Sequence, residues 1–443
     1  MRSALFLACC LALHAVEPDP DEVIKRVTER VTATTARIPN YTCVESVVRD
    51  FYWPPAAIPP EPCPVIMEER RHPIPDIAPN LAVTDRWHLD VTMTRTGEIF
   101  SWAGARRFSD APINQLVDGP ISAGAFGGFL SIIFKQDVQK FTFKGNTDLN
   151  GRSLMEYSFD VPPEHSSYKV KYSGSLVSSG YSGTVVVDPN TDDVVHLTVD
   201  TNELPVMNTC QISTNLDLNR VKIGDSEFLL PARVRQRYVT TTGEEIENTT
   251  TFAQCREYSG TSSVSFGEPE PSIARSRQIA APAPLRVPAS QRFTFELTAP
   301  IASLTAAAGD VFFGRLLTPL RAERRKKPIP AGSLVEGRLL RVERHHVAPA
   351  FTIIVLQVQR VDVADSEFAM TAVRDRSREL ARPRKGRVRV EIPLPLPSEK
   401  NAGVFRFDGD QAVVPRGFRA DWRTADAGPP STVATGTGGA SRP

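Results

Sequence analysis

Twenty residues, Tyr181 to Asp200 (YSGTVVVDPNTDDVVHLTVD), limit most strongly what this chain can fold into. Val185 and Val187, then Val195, Leu197 and Val199, fall at every second position, the period of a half-buried strand. Between the two runs lies DPNTDD, in which Pro189 presets a turn torsion and the Asp and Asn side chains can bond their own backbone. The pattern predicts a hairpin in an antiparallel sheet. A sheet with one apolar face needs something to cover it.

The segments around the hairpin have the same character. Strands are predicted over 38–53, 87–94, 98–102, 139–144, 153–161 and 168–172, with Gly97 as the turn between two of them. Further strands are predicted over 209–223, 234–240 and 245–255. A helix is expected from Asp19 or Asp21 to about Arg37, because Val23, Val27 and Val31 recur every four residues and Glu22 can pair with Arg26. The Pro-rich stretch 54–79 shows no periodicity and reads as a loop. Ser122 to Phe134 (SAGAFGGFLSIIF) reads as a short, mostly buried helix on a glycine-loosened backbone.

From Gly267 to Ser290 prolines accumulate without an apolar pattern, as in an interdomain linker. Beyond it, strands are expected over 293–297, 311–317, 334–343, 352–361, 367–373, 387–392 and 411–414. Residues 425–443 have the low-complexity composition of a disordered tail. The expected fold class is mainly β. An α+β first domain (16–266), an open antiparallel half-barrel covered by short helices, precedes a small β-barrel or sandwich (291–424). The two halves are expected to fold separately, with the linker the first place for a protease to cut.

The N-terminus, MRSALFLACCLALHAVEPDP, has a basic residue, an apolar core and a small residue at Ala15, the order of a secretory signal cleaved near residue 15. The run is too short to span a bilayer, and Cys9 and Cys10 follow too few apolar residues for a lipid-attachment site. No other stretch is long and apolar enough to span, so the mature chain is expected to be soluble, periplasmic or secreted. Four cysteines then remain, Cys43, Cys63, Cys210 and Cys255; an even count in an exported chain favours disulfides. Pairing of sequence neighbours, Cys43 with Cys63 and Cys210 with Cys255, is the expectation.

Residues 39–266 resemble a family of secreted bacterial proteins that includes the outer-membrane lipoprotein carrier and a periplasmic anti-sigma-factor regulator. IPNYTCVESVVRDFYW, FGGFLSIIF, the hairpin with its VDP turn, and FLLPARVRQRY followed by FAQCREYSGTSSVSF carry the likeness. The resemblance implies an incomplete antiparallel barrel whose concave apolar face is covered by helices. The chain departs from the carriers in its length, in the Pro54–Pro79 insertion and in its four cysteines, so the chaperone function does not carry over. AAAGDVFFGRLLTPL and IPAGSLVEGRLLRVE are similar to the β-barrel domain of type IV secretion and conjugation channels. In both, a glycine (Gly309, Gly332) would sit in a tight turn at positive φ.

Lys and Arg total 52 against 51 Asp and Glu, which gives no concentrated basic surface and argues against nucleic acid as a partner. No nucleophile elbow, zinc-protease helix, P-loop or dinucleotide fingerprint is present. His345 and His346 are adjacent, so on a strand they point apart; the pair reads as the cap of an exposed turn before Pro349. His88 and His196 read as solvent-facing. Glu61, Glu68, Glu69, Asp76 and Asp85 are carboxylates without a partner at fixed distance, and RAERRKK at 321–327 reads as a solvated loop. No catalytic residue, cofactor or metal site is expected.

The ligand-binding expectation rests on Phe126, Phe129, Leu130, Ile133 and Phe134. These form a lid over a cavity lined from the sheet by Tyr157, Phe159, Val185 and Val187. A non-enzymatic envelope protein is expected, holding a lipid, an acyl chain or a lipidated protein and docking an envelope protein through its second domain. The same residues also suit a structural or assembly protein with a filled core; an exported hydrolase is the third alternative, which would need clustered carboxylates or a Ser/His pair in a cleft.

Overall fold

A computed structural model describes residues 18–258, 285–377, 396 and 399–426, apart from short internal stretches of which 56–60 and 122–127 are the longest. The expected signal, most of the expected linker, Asp76, Phe126, the strand over 387–392 and nearly all of the tail lie outside the described residues.

The first half is a ten-stranded antiparallel sheet with one long α-helix, three short ones and a small separate hairpin among the described residues. Helix α1 (Pro20–Thr35) starts at the N-cap Asp19, whose carboxylate accepts from the Asp21 N–H, and buries Val23, Val27 and Val31 as the period requires. Arg26 bonds Asp192 in the hairpin turn and not Glu22, which clamps α1 to the sheet. The chain continues through β1 (Tyr41–Trp53), α2 (Cys63–Arg71), β2 (Asn80–Thr94), β3 (Gly97–Trp102), α3 (Ile113–Leu116) and α4 (Gly128–Ser131). A π-helical turn, Ile132–Asp137, leads into β4 (Thr142–Leu149), β5 (Arg152–Val161) and the small hairpin β6 (Lys169–Tyr172) and β7 (Ser175–Ser178). The organising hairpin is β8 (Tyr181–Asp188) and β9 (Asp193–Thr201). The long strands β10 (Thr209–Ile223), β11 (Ser226–Thr240) and β12 (Glu245–Glu257) follow.

Pairing sets the order β3-β2-β1-β12-β11-β10-β9-β8-β5-β4, open at both ends. The sheet does not close into a barrel. One hairpin detail departs from strict alternation. Val187 pairs Val194 while Val186 pairs His196, so Val195 is an extra, bulged residue and Val194 takes the buried place expected of it.

The spatial order also overturns the expected cysteine pairing. Because β12 returns beside β1, Cys43 joins Cys255 across adjacent strands, with Cα atoms 4.1 Å apart. The stretch 54–79, expected to be a loop, contains α2, which lies on the sheet and joins Cys63 to Cys210 of β10, Cα atoms 5.2 Å apart. Neighbours in sequence are not neighbours here.

The second half comprises β13 (Leu285–Arg286), β14 (Arg292–Leu297), β15 (Ile301–Ala302), β16 (Val311–Leu316), β17 (Leu334–His345), β18 (Phe351–Val363), β19 (Ser366–Ala369), β20 (Ala372–Arg374), β21 (Gly403–Asp408), β22 (Val413–Val414) and β23 (Arg419–Thr424). Strands β20-β23-β14-β16-β17-β18 are hydrogen-bonded in that order, and β21 and β19 share the far edge of β18. They surround a core that includes Phe295, Phe312, Phe368, Phe405 and Trp422. The end of the expected linker belongs to this unit: β13 pairs with β19 and Val287 is buried in the core. Strands β21 and β23 went unrecognised in the sequence, although Trp422 is fully buried.

The two halves meet on one strand edge. Residues 89–94 of β2 pair with β3, while residues 83–85 pair with the end of β17. Between them Ala308 bridges the backbone of Arg86 and His88. Gly309 (φ +101°) and Gly332 (φ +92°) occupy the left-handed turns expected of them, and a Cβ at Gly309 would collide with the His88 carbonyl. Three histidines do different work from that expected. His88 bonds Asp310 across the joint (2.7 Å), His346 bonds Asp410 (2.8 Å) and Thr84 (2.9 Å), and His345 stacks on Phe351. None of the three caps an exposed turn. His196, on β9, bonds Asp217 of the neighbouring strand.

Candidate functional site

The lid residues and the strands under them come together. Phe129, Leu130, Ile133, Phe134, Tyr157, Phe159, Val185 and Val187 belong to one apolar cluster, none more than 6% exposed. The described part of the lid segment, 128–137, is a single α-turn that widens into the π-helical turn, pinned at its end. The buried Asp137 carboxylate accepts from the Tyr181 hydroxyl (2.9 Å) and the Ser167 N–H (2.7 Å). Phe129 stacks on Tyr168 and Phe134 on Phe141, whose ring meets the edge of Phe159. Gly183 makes room for Phe159, since a Cβ there would lie 2.8 Å from its ring. The Tyr157 hydroxyl donates to the Pro20 carbonyl and so ties the sheet to the start of α1; burial pushes its pKa up to about 12. At the margin, beside Val31, Leu130 and Leu229, lies a cavity of about 50 Å³. Pockets that enclose small molecules measure roughly 300–1,000 Å³.

A cleft of about 420 Å³ lies at the joint between the halves. Trp53, Val83, Leu116, Val117, Leu340 and Val342 give it apolar walls. Its floor is ionic. Arg49 and Asp85 are opposite one another on β1 and β2, on the face that also carries Val47 and Trp87. Arg49 holds Asp85 through two hydrogen bonds (Nε–Oδ1 3.1 Å, Nη2–Oδ2 2.5 Å) and lies over the rings of Trp87 and Phe51. From the second half, Arg341 bonds Glu399 and Glu343, and Glu343 also takes His345.

Asp85 and Glu343 are directly opposed where β2 meets β17, a repulsive pairing unless cations intervene. Burial outweighs the neighbouring Arg49 and leaves the Asp85 carboxyl above the usual range, with Glu343 adding to the rise. At Glu343 burial also acts upward, but hydrogen bonds from His345 and Arg341 outweigh it and hold this carboxyl low. The cleft therefore presents apolar walls above a charge-balanced base.

In the sequence alone Asp85 reads as an unpartnered carboxylate, and Arg49 is one arginine among many. The available signal was a charged residue at an inward position of an alternating strand, after Tyr41, Cys43 and Val47. Glu68 pairs with Arg71 and His72 at the surface, and Glu69 lies 4.0 Å from Arg70. One constellation looks hydrolytic, Thr84 beside His346 beside Asp410. However, the Asp50 carboxylate lies 2.6 Å from the Thr84 hydroxyl and competes with His346 for its single proton, so this is not a serine-type relay with one base. Among the described residues, no group of three or more His, Cys, Asp or Glu side chains is placed to hold a metal ion, and no helix is long and apolar enough to cross a membrane.

No family model matches the chain, and no curated protein matches it. Among solved structures, an outer membrane lipoprotein-sorting protein domain from Vibrio parahaemolyticus superposes on 54% of this chain and 95% of its own length, at 9% identity and a TM-score of 0.27. A DUF1329 family protein from Desulfovibrio piger superposes on 55% of this chain and 96% of its own length, also at 9% identity and a TM-score of 0.27. Superpositions this loose carry nothing about what the chain does.

Proposed function

We propose that the protein is a non-catalytic binding protein of the cell envelope that takes an apolar chain, such as a lipid acyl group, into the cleft at the joint. The observation that carries this reading is the 420 Å³ volume with apolar walls contributed by both halves. Two disulfides support an oxidising, extracytoplasmic compartment. Because the cleft borrows residues from each half, an occupant would also fix the halves relative to one another. The lid reading is the alternative: the segment 128–137 would have to lift from Tyr157, Phe159, Val185 and Val187 before a ligand could enter.

A fluorescent acyl probe distinguishes the two. Trp53 is 47% exposed at the cleft rim, so Trp53→Asp should leave the fold intact and weaken probe binding at least tenfold. Unchanged binding in Trp53→Asp, with loss on clamping the 128–137 segment by an engineered disulfide, would place the ligand under the lid. No probe binding at all, and no lipid co-purifying with protein from its own host by native mass spectrometry, would leave the structural role.

A further inference from the structure

A second cleft, of about 570 Å³, opens on the other side of Leu116. Its walls include Trp102 and Phe313, and its charged groups are Arg106, Arg360, Glu336 and Arg338. Three of these four are already committed: Arg360 binds Glu336, and Arg106 binds Glu367. Arg338 is not. It is 5% exposed, yet it forms no ion pair with any described carboxylate.

Its Nη1 donates to the carbonyls of Ala103 (2.9 Å) and Gly309, which fixes the plane of the guanidinium between a turn of the first half and a turn of the second. Nε and Nη2 form no hydrogen bond with a described residue, and neither is sealed from the cleft. The three carboxylates whose fields reach Arg338 are each used elsewhere. Glu336 is held by Arg360, Asp310 by His88 and the Ala307 N–H, and Asp90 by the Gly104 N–H. Burial prevails over these fields and acts against the charged form. A guanidinium does not lose its proton in a protein, and a buried unpaired cation is costly.

We propose that this cleft is an oxyanion site, in which the free Nε–Nη2 edge of Arg338 takes a carboxylate or phosphate group through two parallel hydrogen bonds. That fork matches two oxygens of one anion in a way that a lysine ammonium cannot. Trp102 and Phe313 flank the remainder of the ligand. The site is independent of the apolar cleft and stands or falls separately.

The test titrates the full chain by calorimetry with inorganic phosphate and with benzoate. The expected result is saturable binding of at least one anion, one per chain; tighter phosphate marks a phosphate ligand and tighter benzoate a carboxylate. Arg338→Lys keeps the charge but loses the fork and should weaken binding about tenfold. Phe313 is 43% exposed, so Phe313→Glu puts a like charge at the mouth without disturbing the core, and should abolish anion binding while the melting temperature and the acyl-probe affinity stay unchanged. Arg106→Ala, which removes an arginine already paired at the surface, should change the affinity less than threefold. Failure of both anions to bind the unaltered protein overturns the proposal, as does equal binding by the unaltered chain and the folded Phe313→Glu variant.

Discussion

The core under the 128–137 segment and the joint between the halves are built on opposite principles. The first is filled by aromatic and branched side chains from one run of sequence and the strands beneath it, and leaves only a marginal void. The second is assembled from β1, β2, α3 and β17 with arginines and carboxylates on its floor, and leaves clefts of hundreds of Å³. Apolar side chains of varied shape can close-pack. Arginines and carboxylates that must satisfy each other's hydrogen bonds have fixed directions, and space is left around them. Packing gives the first region its stability; the second is where a ligand has room.

The largest effect that bears on this contrast concerns the disulfides. Cys43–Cys255 closes a sequence separation of 212 residues and Cys63–Cys210 one of 147. Loop-closure entropy assigns each about 5 kcal/mol. Cys43 and Cys255 lie in the cluster that backs the joint, with Trp87 and Ala308. Replacing both by Ala should lower the denaturation midpoint sharply and expose β1 amides to hydrogen exchange. Non-reducing peptide mapping that linked Cys43 to Cys63 would contradict the strand order itself.

Next come paired substitutions in the two regions. Phe129→Ala should cost about 3–5 kcal/mol, as expected for an aromatic removed from a filled core. Arg49→Met alone should cost a similar amount, because it strands a buried carboxylate. The difference should appear in the double variant: Arg49→Met with Asp85→Leu should recover most of the loss, since a buried ion pair often contributes little over apolar groups of similar size. Chemical denaturation of the three variants measures this. A double variant as unstable as Arg49→Met alone would show that the cleft floor is no exchangeable pair.

A smaller effect is a pH dependence from Glu45. It lies on the same face of β1 as Arg49, is buried without a partner for one carboxylate oxygen, and has its pKa pushed up by burial, with Glu98 adding to the rise, to about 8. A carboxyl whose pKa is raised on folding binds more protons folded than unfolded. Its stabilising contribution is therefore complete below the unfolded pKa of about 4.5 and is lost as pH rises towards 8. Unfolding free energies of the unaltered chain should fall across that window relative to Glu45→Gln. Parallel curves would mean that Glu45 is ionised in the folded protein.

What was legible in the sequence follows from the same contrast. Repeating signals survive in a one-dimensional string: the valines of α1, the alternation of β8 and β9, and the apolar run that became the 128–137 segment. These suffice for a mainly β fold with an open half-barrel. Val194 took the place of Val195 because a bulge is a property of two paired strands and not of one. The cysteine pairing failed for the same reason, since β12 lies beside β1 only after every intervening strand has been placed. Strand β23 was missed because RADWRT has one large apolar residue among polar ones, and only its neighbours make Trp422 central. The joint was invisible: Arg49, Asp85, Arg338 and Glu343 are ordinary charged residues until β2 and β17 share an edge.

The central claim, that the joint and not the filled core receives an apolar ligand, can be tested by where a bound chain lies. Trp53 and Trp87 line the 420 Å³ cleft, whereas Trp422 is enclosed in the second core. Bromine quenches indole fluorescence only near contact. A brominated hydrocarbon, which lacks the carboxylate that the Arg338 cleft beside Trp102 would take, should quench saturably when added to the full chain, and the quenching should disappear in a Trp53→Phe, Trp87→Phe variant that still folds. Quenching that persists undiminished in that variant, or none at saturating ligand, would contradict the account.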